Sequence, residues 1–532
     1  MKVMTTECTG IAEMIAFVES ALENSNLAKR DYHQALLISE EIVAKFQETE
    51  KVSKFKVSVS KSFGEYSIRL TFLSQRPFEL TEESEDDISG KILHYYGEKI
   101  RIRYRNGMNT VTILASQSFT RYLRLSAIAF AAAMILSGIM CLMTSQEIRS
   151  IILEKAIWPA EDIFIKAVCM LATPVTFFCI VSNVASYTNL VDRYPDVKKL
   201  IMRYVMTSVI AIGIGYTAFL GLRPLVLNFG TMEEFHVNGK TTLNFSTVWN
   251  ALESMVPDNI LSPFTSSETL PMLFLAVISG ISVGIIDRQS GKCKELVDMI
   301  RSFFCKMLYI VFELGALMIF FCFTDAIMYS GWIVLPYLFY LFLAIVFVLI
   351  VLNLVYMADL VCHRIAPGKL YQTMGRCFVE SFLIGSSVDA IPNTLRHCTE
   401  KLDLPKRPLE VSIPLGANMN MDGNCATLMF LMPVLGLITG VELSLVEVFV
   451  MGLTILVLSL GAPNQPGSLT VAAMVLLPQL GLTQSVMTTV IIIELITCRI
   501  LAASNVLGDV VCSKIVGEQE RRMVQKQKRT RC

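Results

Sequence analysis

Ile413-Pro414-Leu415-Gly416-Ala417-Asn418-Met419-Asn420-Met421-Asp422-Gly423-Asn424 sets an acid among asparagines inside an otherwise apolar stretch, and the fold follows from what that acid needs. A carboxylate at membrane depth must have a partner, and a cation is the simplest one. Further on, Asn505-Val506-Leu507-Gly508-Asp509 places a second amide and carboxylate at the end of another apolar run. Two buried oxygen-rich sites point to a cation-coupled carrier.

The chain around these runs fits that setting. It has 532 residues, 53% hydrophobic and 17% charged, with a mean hydropathy of +0.54. Those averages combine a polar first fifth, residues 1–115, with an apolar remainder. A hydrocarbon core about 30 Å thick takes roughly 20 apolar helical residues to cross. Residues 125–143, 160–187, 200–228, 260–286, 303–328 and 333–361 meet that length. The polar, acidic N-terminal stretch predicts no cleavable signal peptide. Zero net charge implies no nucleic-acid partner, and the 14 Cys have no metal-ligand spacing, so they are expected to be reduced thiols packing as small apolar residues.

Orientation follows from the basic residues, which favour short cytoplasmic loops. Arg121 and Arg124 precede the first span, Arg193, Lys198, Lys199 and Arg203 lie between the second and third, and Lys292, Lys294 and Arg301 follow the fourth. The loop around Met232-Glu233-Glu234-Phe235-His236 is not basic, and the tail carries Arg521, Arg522, Lys526, Lys528, Arg529 and Arg531. Both termini are therefore expected on the cytoplasmic side of a cell membrane.

The last third does not divide into simple spans. Residues 374–400 and 441–481 are interrupted by Gly385-Ser386-Ser387-Val388-Asp389-Ala390-Ile391-Pro392 and Gly461-Ala462-Pro463-Asn464-Gln465-Pro466-Gly467-Ser468. Each half is too short to cross, and irregular backbone at membrane depth survives only when buried in protein or lining a cavity. Two interrupted segments in corresponding positions are the sequence pointer to a transporter's binding site. The expected plan is a hairpin followed by a broken helix, twice.

These motifs, Pro414-Leu415-Gly416-Ala417 with Asn420-Met421-Asp422-Gly423, the Ser386-Ser387 tip and Asn505 to Asp509, resemble the dicarboxylate/amino acid:cation symporter family, which includes the glutamate transporter homologues. Weaker blocks at Trp158-Pro159 with Asp162-Ile163-Phe164, and at Leu270-Pro271, extend the resemblance over residues 120–517. It implies a multi-pass α-helical membrane protein: an inverted-repeat symporter fold with eight transmembrane segments and two re-entrant hairpins. It also implies a homotrimer in which residues 370–517 are mostly transport part, moving by an elevator mechanism against a 120–369 scaffold. Residues 518–532 form a basic cytoplasmic tail.

The resemblance carries cation sites onto named positions. Tyr204, Thr207 and Ser208 share a helix face and, with Asn420 and Asp422, are similar to one sodium site of the family. Gly416, Asn420, Asn505 and Asp509 match a second. Sodium ions are thus expected as transported ions, held by oxygen ligands with carboxylates to offset their charge.

For the solute, the resemblance points to Ser386, Ser387, Met421, Asn424, Gly467, Cys498, Leu501, Ala502 and Asn505. Here the chain departs from its relatives. Acidic amino acid carriers present an Arg four residues before the Asn, an Asp seven before it and a Thr three before it, and these positions are Leu501, Cys498 and Ala502. A bidentate Arg to carboxylate pair is not replaced by Leu. Arg499 lies about 200° around the helix from Leu501 and is expected to pair with Glu494 or reach lipid headgroups. The hydroxyls of Ser386 and Ser387, Asn424, and amides around Gly467-Ser468 could hold an anionic group instead.

Residues 1–115 read as a small soluble α+β domain. Helical periodicity covers 11–28, 32–46 and 88–96, and strands are expected over 55–72, as a pair, and at 100–104 and 109–114. Ala35 to Lys45 and Gly97 to Thr110 resemble parts of the histidine-kinase/anti-sigma ATPase fold. Its magnesium-holding Asn is Lys45 here, and its nucleotide loop is replaced by Ser74-Gln75-Arg76-Pro77-Phe78. A degenerate domain binding a cytoplasmic partner is expected rather than an ATPase, and the chain is not expected to be an enzyme. The sequence thus predicts a sodium-coupled symporter for a small organic solute, a dicarboxylate or amino acid; the alternative is a transceptor that reports solute occupancy through residues 1–115.

Overall fold

A computed structural model gives the fold, describing residues 2–22, 29–50, 54–62, 65–73, 100–105, 107–114, 119–193, 195–228, 249, 253–265, 269–290, 292–402, 406–441, 443–461, 467–477 and 486–531. The expected helix at 88–96, the loops at 74–78 and 232–236, and the centre of the second interruption, 462–466, lie outside them. The chain divides into two compact units, Met1–Leu125 and Ser126–Cys532.

In the first unit five strands, β1 Lys2–Cys8, β2 Phe55–Ser62, β3 Glu65–Leu73, β4 Ile100–Arg105 and β5 Met108–Leu114, form one sheet in the order β1-β2-β3-β5-β4. Every neighbouring pair is antiparallel. Strand alternation sends Val57, Val59, Ile68, Leu70, Phe72, Val111 and Ile113 to one face, where they are buried. Helices α1 Ile11–Leu22 and α2 Lys29–Glu50 cover that face because Met14, Val18 and Leu22, and Ile38, Ile42 and Phe46, recur every fourth residue. The strand β1 was not expected; α1 is described over Ile11–Leu22, and residues 23–28 of the expected helix lie outside the described residues. Lys2-Val3-Met4-Thr5-Thr6-Glu7-Cys8 has little alternation of its own and is held by its ladder with β2.

The second unit is helical. Its first helices are α3 Phe119–Met143, α4 Trp158–Arg193, α5 Pro195–Asn228, α6 Thr269–Ser290, α7 Cys293–Glu313, α8 Gly315–Ser330 and α9 Val334–Cys362. There follow α10 Pro367–Ile384, α11 Ile391–Lys401, α12 Lys406–Met419, α13 Asp422–Ile438, α14 Leu445–Ser459, α15 Ser468–Leu476 and α16 Met487–Arg531. Among the described residues seven helices are long and apolar enough to cross a membrane, or eight if α7 and α8 count as one bent span. That pair covers the stretch 303–328, which was expected to be long enough for one span. It bends by 54° at Leu314, whose N–H donates to Val311 O in a tight 3₁₀-type turn before Gly315. Arg203, counted above as a loop charge, lies inside α5 and pairs with Asp359 of α9. The described cysteines are all free thiols.

Two helix pairs, α10 with α11 and α14 with α15, flank the expected interruptions, and the first pair is joined by a turn over residues 385–390. Local chemistry fixes their ends. Pro392 sits in the first turn of α11, and Ser444 and Glu447 form a capping box on α14. After the first pair the chain breaks at Asn420 and Met421, between α12 and α13. After the second it does not: α16 runs unbroken through Asn505 to Asp509. The expected second broken helix is therefore corrected to an intact one, since nothing in 498–509 prevents helical backbone and only the side chains carry polar groups.

In the first unit the stacked rings of Phe46 and Phe72, 4.2 Å apart, tie α2 to the sheet. Phe72→Ala is expected to remove about 3–5 kcal/mol. Hydrogen exchange on the full chain should show faster exchange within residues 2–114 and unchanged α13 and α16.

Candidate functional site

The site is built from three kinds of helix: a broken one, an intact one beside it, and neighbours that lend hydroxyls. At the break, Asn420 N–H still donates to Gly416 O at 2.7 Å, closing α12, while α13 starts afresh at Asp422. A helix start leaves backbone N–H groups without intrahelical partners. The Gly423 N–H donates to Asn505 Oδ1 of α16 at 2.9 Å, so an amide side chain of the intact helix completes the broken one.

Asp422 and Asp509 are 0% and 1% exposed. Ser208 Oγ of α5 donates to Asp422 Oδ1 at 2.6 Å, and Tyr356 Oη of α9 donates to Oδ2 at 2.6 Å. Asn420 joins the two acids: its Nδ2 donates to Asp509 Oδ1 at 3.1 Å, and its Oδ1 accepts from Thr207 Oγ1 at 3.0 Å. Tyr204 Oη donates to Ser412 O at 2.9 Å. Among the described residues neither carboxylate forms an ion pair. Hydroxyl, amide and carboxylate oxygens of this kind are the donors a hard monovalent cation requires.

Two glycines make the close packing possible. A Cβ on Gly416 would stand 2.6 Å from Asp509 Oδ1 and 2.8 Å from Tyr204 Oη, and one on Gly508 would stand 2.6 Å from Tyr356 Oη and 2.9 Å from Asn420 Nδ2. The structure thus brings all the expected cation residues, Tyr204, Thr207, Ser208, Gly416, Asn420, Asp422, Asn505 and Asp509, into one neighbourhood. Tyr356 was missed. The signal for it was a tyrosine deep in the long apolar run of α9, where a phenolic hydroxyl needs a partner.

The same network runs on into a small cavity. Asn505 Nδ2 donates to Asn424 Oδ1 at 3.2 Å, and Asn424 Nδ2 donates to Ser468 Oγ at 3.1 Å. Ser386, Ser387, Met421 and Asn424 line the cavity, as do Cys498, Leu501, Ala502 and Asn505. Of the expected solute residues Gly467 is the exception: it packs against the Phe312 ring and is the N-cap of α15. Ser468, Gly385 and Glu494 complete the lining.

Glu494 corrects a further expectation. Its Oε1 accepts from the Leu469 N–H at 3.1 Å and its Oε2 from the Thr470 N–H at 2.9 Å, and the Thr470 hydroxyl also donates to it. Two amides just after Gly467-Ser468, where an anion from outside was expected to bind, are thus already engaged by a carboxylate of the protein. The stem of Arg499 lies beside Gly385.

Gly508→Ala is expected to wedge Tyr356 from Asp422 and lower stability by about 1–3 kcal/mol, seen as a lower Tm. Gly213→Ala, where a Cβ meets nothing within 4 Å, should leave Tm unchanged.

Comparison with known proteins places this geometry. The model of the sodium:dicarboxylate symporter family matches residues 127–519. The chain is 23% identical over 393 residues to a C4-dicarboxylate transport protein of Cupriavidus taiwanensis, covering 70% of this chain and 87% of that one. It is 24% identical over 382 residues to a C4-dicarboxylate transport protein of Deinococcus radiodurans, covering 69% and 84%. Over 168 residues it is 29% identical to excitatory amino acid transporter 3 of Mus musculus, 32% of each chain. The match spans well over half of the chain and contains the whole buried network, so this multi-pass membrane protein belongs to the sodium:dicarboxylate symporter family.

Proposed function

We propose that this protein is a secondary symporter in which a sodium gradient drives a small organic solute, a dicarboxylate or an amino acid, across the membrane. The observation that carries the reading is the pair Asp422 and Asp509, fully buried with hydrogen bonds but, among the described residues, no cationic side chain paired to them. An uncompensated buried carboxylate is costly. A sodium ion among Tyr204, Thr207, Ser208, Asn420 and Asp422, and another beside Gly416, Asn420, Asn505 and Asp509, would supply the missing charge.

Coupling follows from the hydrogen-bond chain. Sodium at Asp422 fixes the start of α13, hence the Gly423 to Asn505 bond, and Asn505 in turn orients Asn424 and Ser468 at the cavity wall. An ion that orders this chain lowers the cost of ordering it for the solute, and by linkage the solute raises sodium affinity by the same factor. The pairs α10–α11 and α14–α15 serve as re-entrant hairpins. With α12, α13 and α16 they form the moving part of a homotrimer whose termini are cytoplasmic. Residues 1–115 act as an accessory partner-binding domain, since the buried Lys45 puts an ammonium where a nucleotide-bound magnesium would need an oxygen.

The test is thermal unfolding of the purified protein in sodium chloride and in choline chloride, paired with uptake into proteoliposomes. Sodium binding to the folded state should raise Tm, since a ligand at 100 times its Kd contributes about 2.7 kcal/mol. Asp422→Asn should abolish that rise and sodium-driven uptake together. Asn505→Ala should keep a sodium response and lose most of the dependence of solute affinity on sodium. A wild-type Tm indifferent to sodium would sink the reading.

A further inference from the structure

The chemistry of the cavity narrows the solute beyond what family membership supplies, taking the symporter reading as its base. The described lining contains no lysine, arginine or histidine. Its one acidic side chain, Glu494, is 5% exposed and accepts the amides that open α15. A helix N-terminus is the usual neutral receiver of an anion, and this one is filled from within the protein. Among the described lining residues there is thus no guanidinium, and the Leu469 and Thr470 amides at the start of α15 are already engaged.

What remains divides by wall. One wall is hydroxyl and amide: Ser386, Ser387, Ser468 and Asn424. The other is apolar or nearly so: Met421, Leu501, Ala502 and Cys498. Neutral donors on the first wall, with the cation network one hydrogen-bond step away through Asn505, can hold one carboxylate. A second carboxylate of the same molecule would lie against Leu501 and Ala502, out of water, unpaired and near the Glu494 carboxyl. Burying an anion that way is far more costly than leaving it in solvent.

We infer that the cavity takes a solute with a single carboxylate and a short apolar remainder, a short-chain monocarboxylate or its 2-amino counterpart, and rejects dicarboxylates. The carboxylate faces the hairpin hydroxyls and Asn424; the apolar end faces Met421, Leu501 and Ala502. Asparagines and serines read the shared group, and the helix that would read a second acid presents leucine and alanine.

The experiment is thermal unfolding of the purified full-length protein, in sodium and in choline, titrated with propionate, butyrate, alanine and valine against succinate, malate and aspartate. In sodium at least one single-carboxylate compound is expected to raise Tm at a concentration at least tenfold below any dicarboxylate; the first two compounds against the next two separate the two sources of that chemistry. A dicarboxylate acting at equal or lower concentration overturns the inference, and loss of that response in Arg499→Met would identify the counter-ion responsible. A sodium response with no response to any single-carboxylate compound also overturns it. Absence of a sodium effect alone would bring down the symport reading, while the solute ranking would still decide the class. Leu501→Arg should gain a succinate response; if the folded variant gains none, the missing base is not what excludes the second acid.

Discussion

Two carboxylates buried side by side without a basic partner are the constraint on which the rest of the transmembrane unit depends. Asp422 and Asp509 share one amide, Asn420, which donates to one acid and sits two residues from the other. Every nearby choice serves these oxygens. Ser208 and Tyr356 donate to one carboxylate from different helices. Gly416 and Gly508 carry no side chain because a Cβ there would stand inside contact distance of Asp509, Tyr204, Tyr356 or Asn420. A core of leucines would pack as well at lower cost, so the expense points to function rather than to stability.

The broken helix and the intact one solve complementary problems. Breaking the backbone at Asn420 and Met421 frees polar groups deep inside protein, which is tolerated only where something else satisfies them. The intact α16 provides that through Asn505, whose carbonyl oxygen accepts from Gly423 while its amide donates to Asn424. One side chain thereby closes a helix start and orients a cavity wall. Were α16 broken as well, neither helix would be rigid enough to hold the other's loose ends.

Much of this was legible in the residues, for reasons that differ by element. Asp422 and Asp509 stand out because acids inside long apolar runs have few ordinary explanations, and Tyr204, Thr207 and Ser208 because i, i+3, i+4 spacing sets one helix face. The helix pairs were legible because glycine, proline and serine interrupt runs otherwise long enough to cross. Tyr356 was not found because a tyrosine in an apolar run looks the same whether its hydroxyl meets a backbone carbonyl or a carboxylate. The continuity of α16 was misjudged because polar side chains at Asn505 and Asp509 were read as polar backbone. The cap on α15 was hidden because Glu494 and Thr470, 24 residues apart, meet only through tertiary packing. In the first unit β1 was missed because pairing with β2, rather than its own alternation, makes Lys2–Cys8 a strand.

The stripe Cys498, Leu501, Ala502, Asn505 and Asp509 runs along one face of α16 at i, i+3, i+4, i+7 and i+11, the last rotated only modestly from the first. At 1.5 Å per residue Leu501 and Asp509 are about 12 Å apart along the axis, with Asn505 midway. Cys498, Leu501 and Ala502 at the upper end line the cavity, while Asp509 at the lower end lies in the carboxylate network, and Asn505 belongs to both. The hydrogen-bond chain from Gly423 to Ser468 passes through Asn505 and Asn424, not through Leu501 or Cys498. Leucine, alanine and cysteine at these positions therefore leave that hydrogen-bond chain whole.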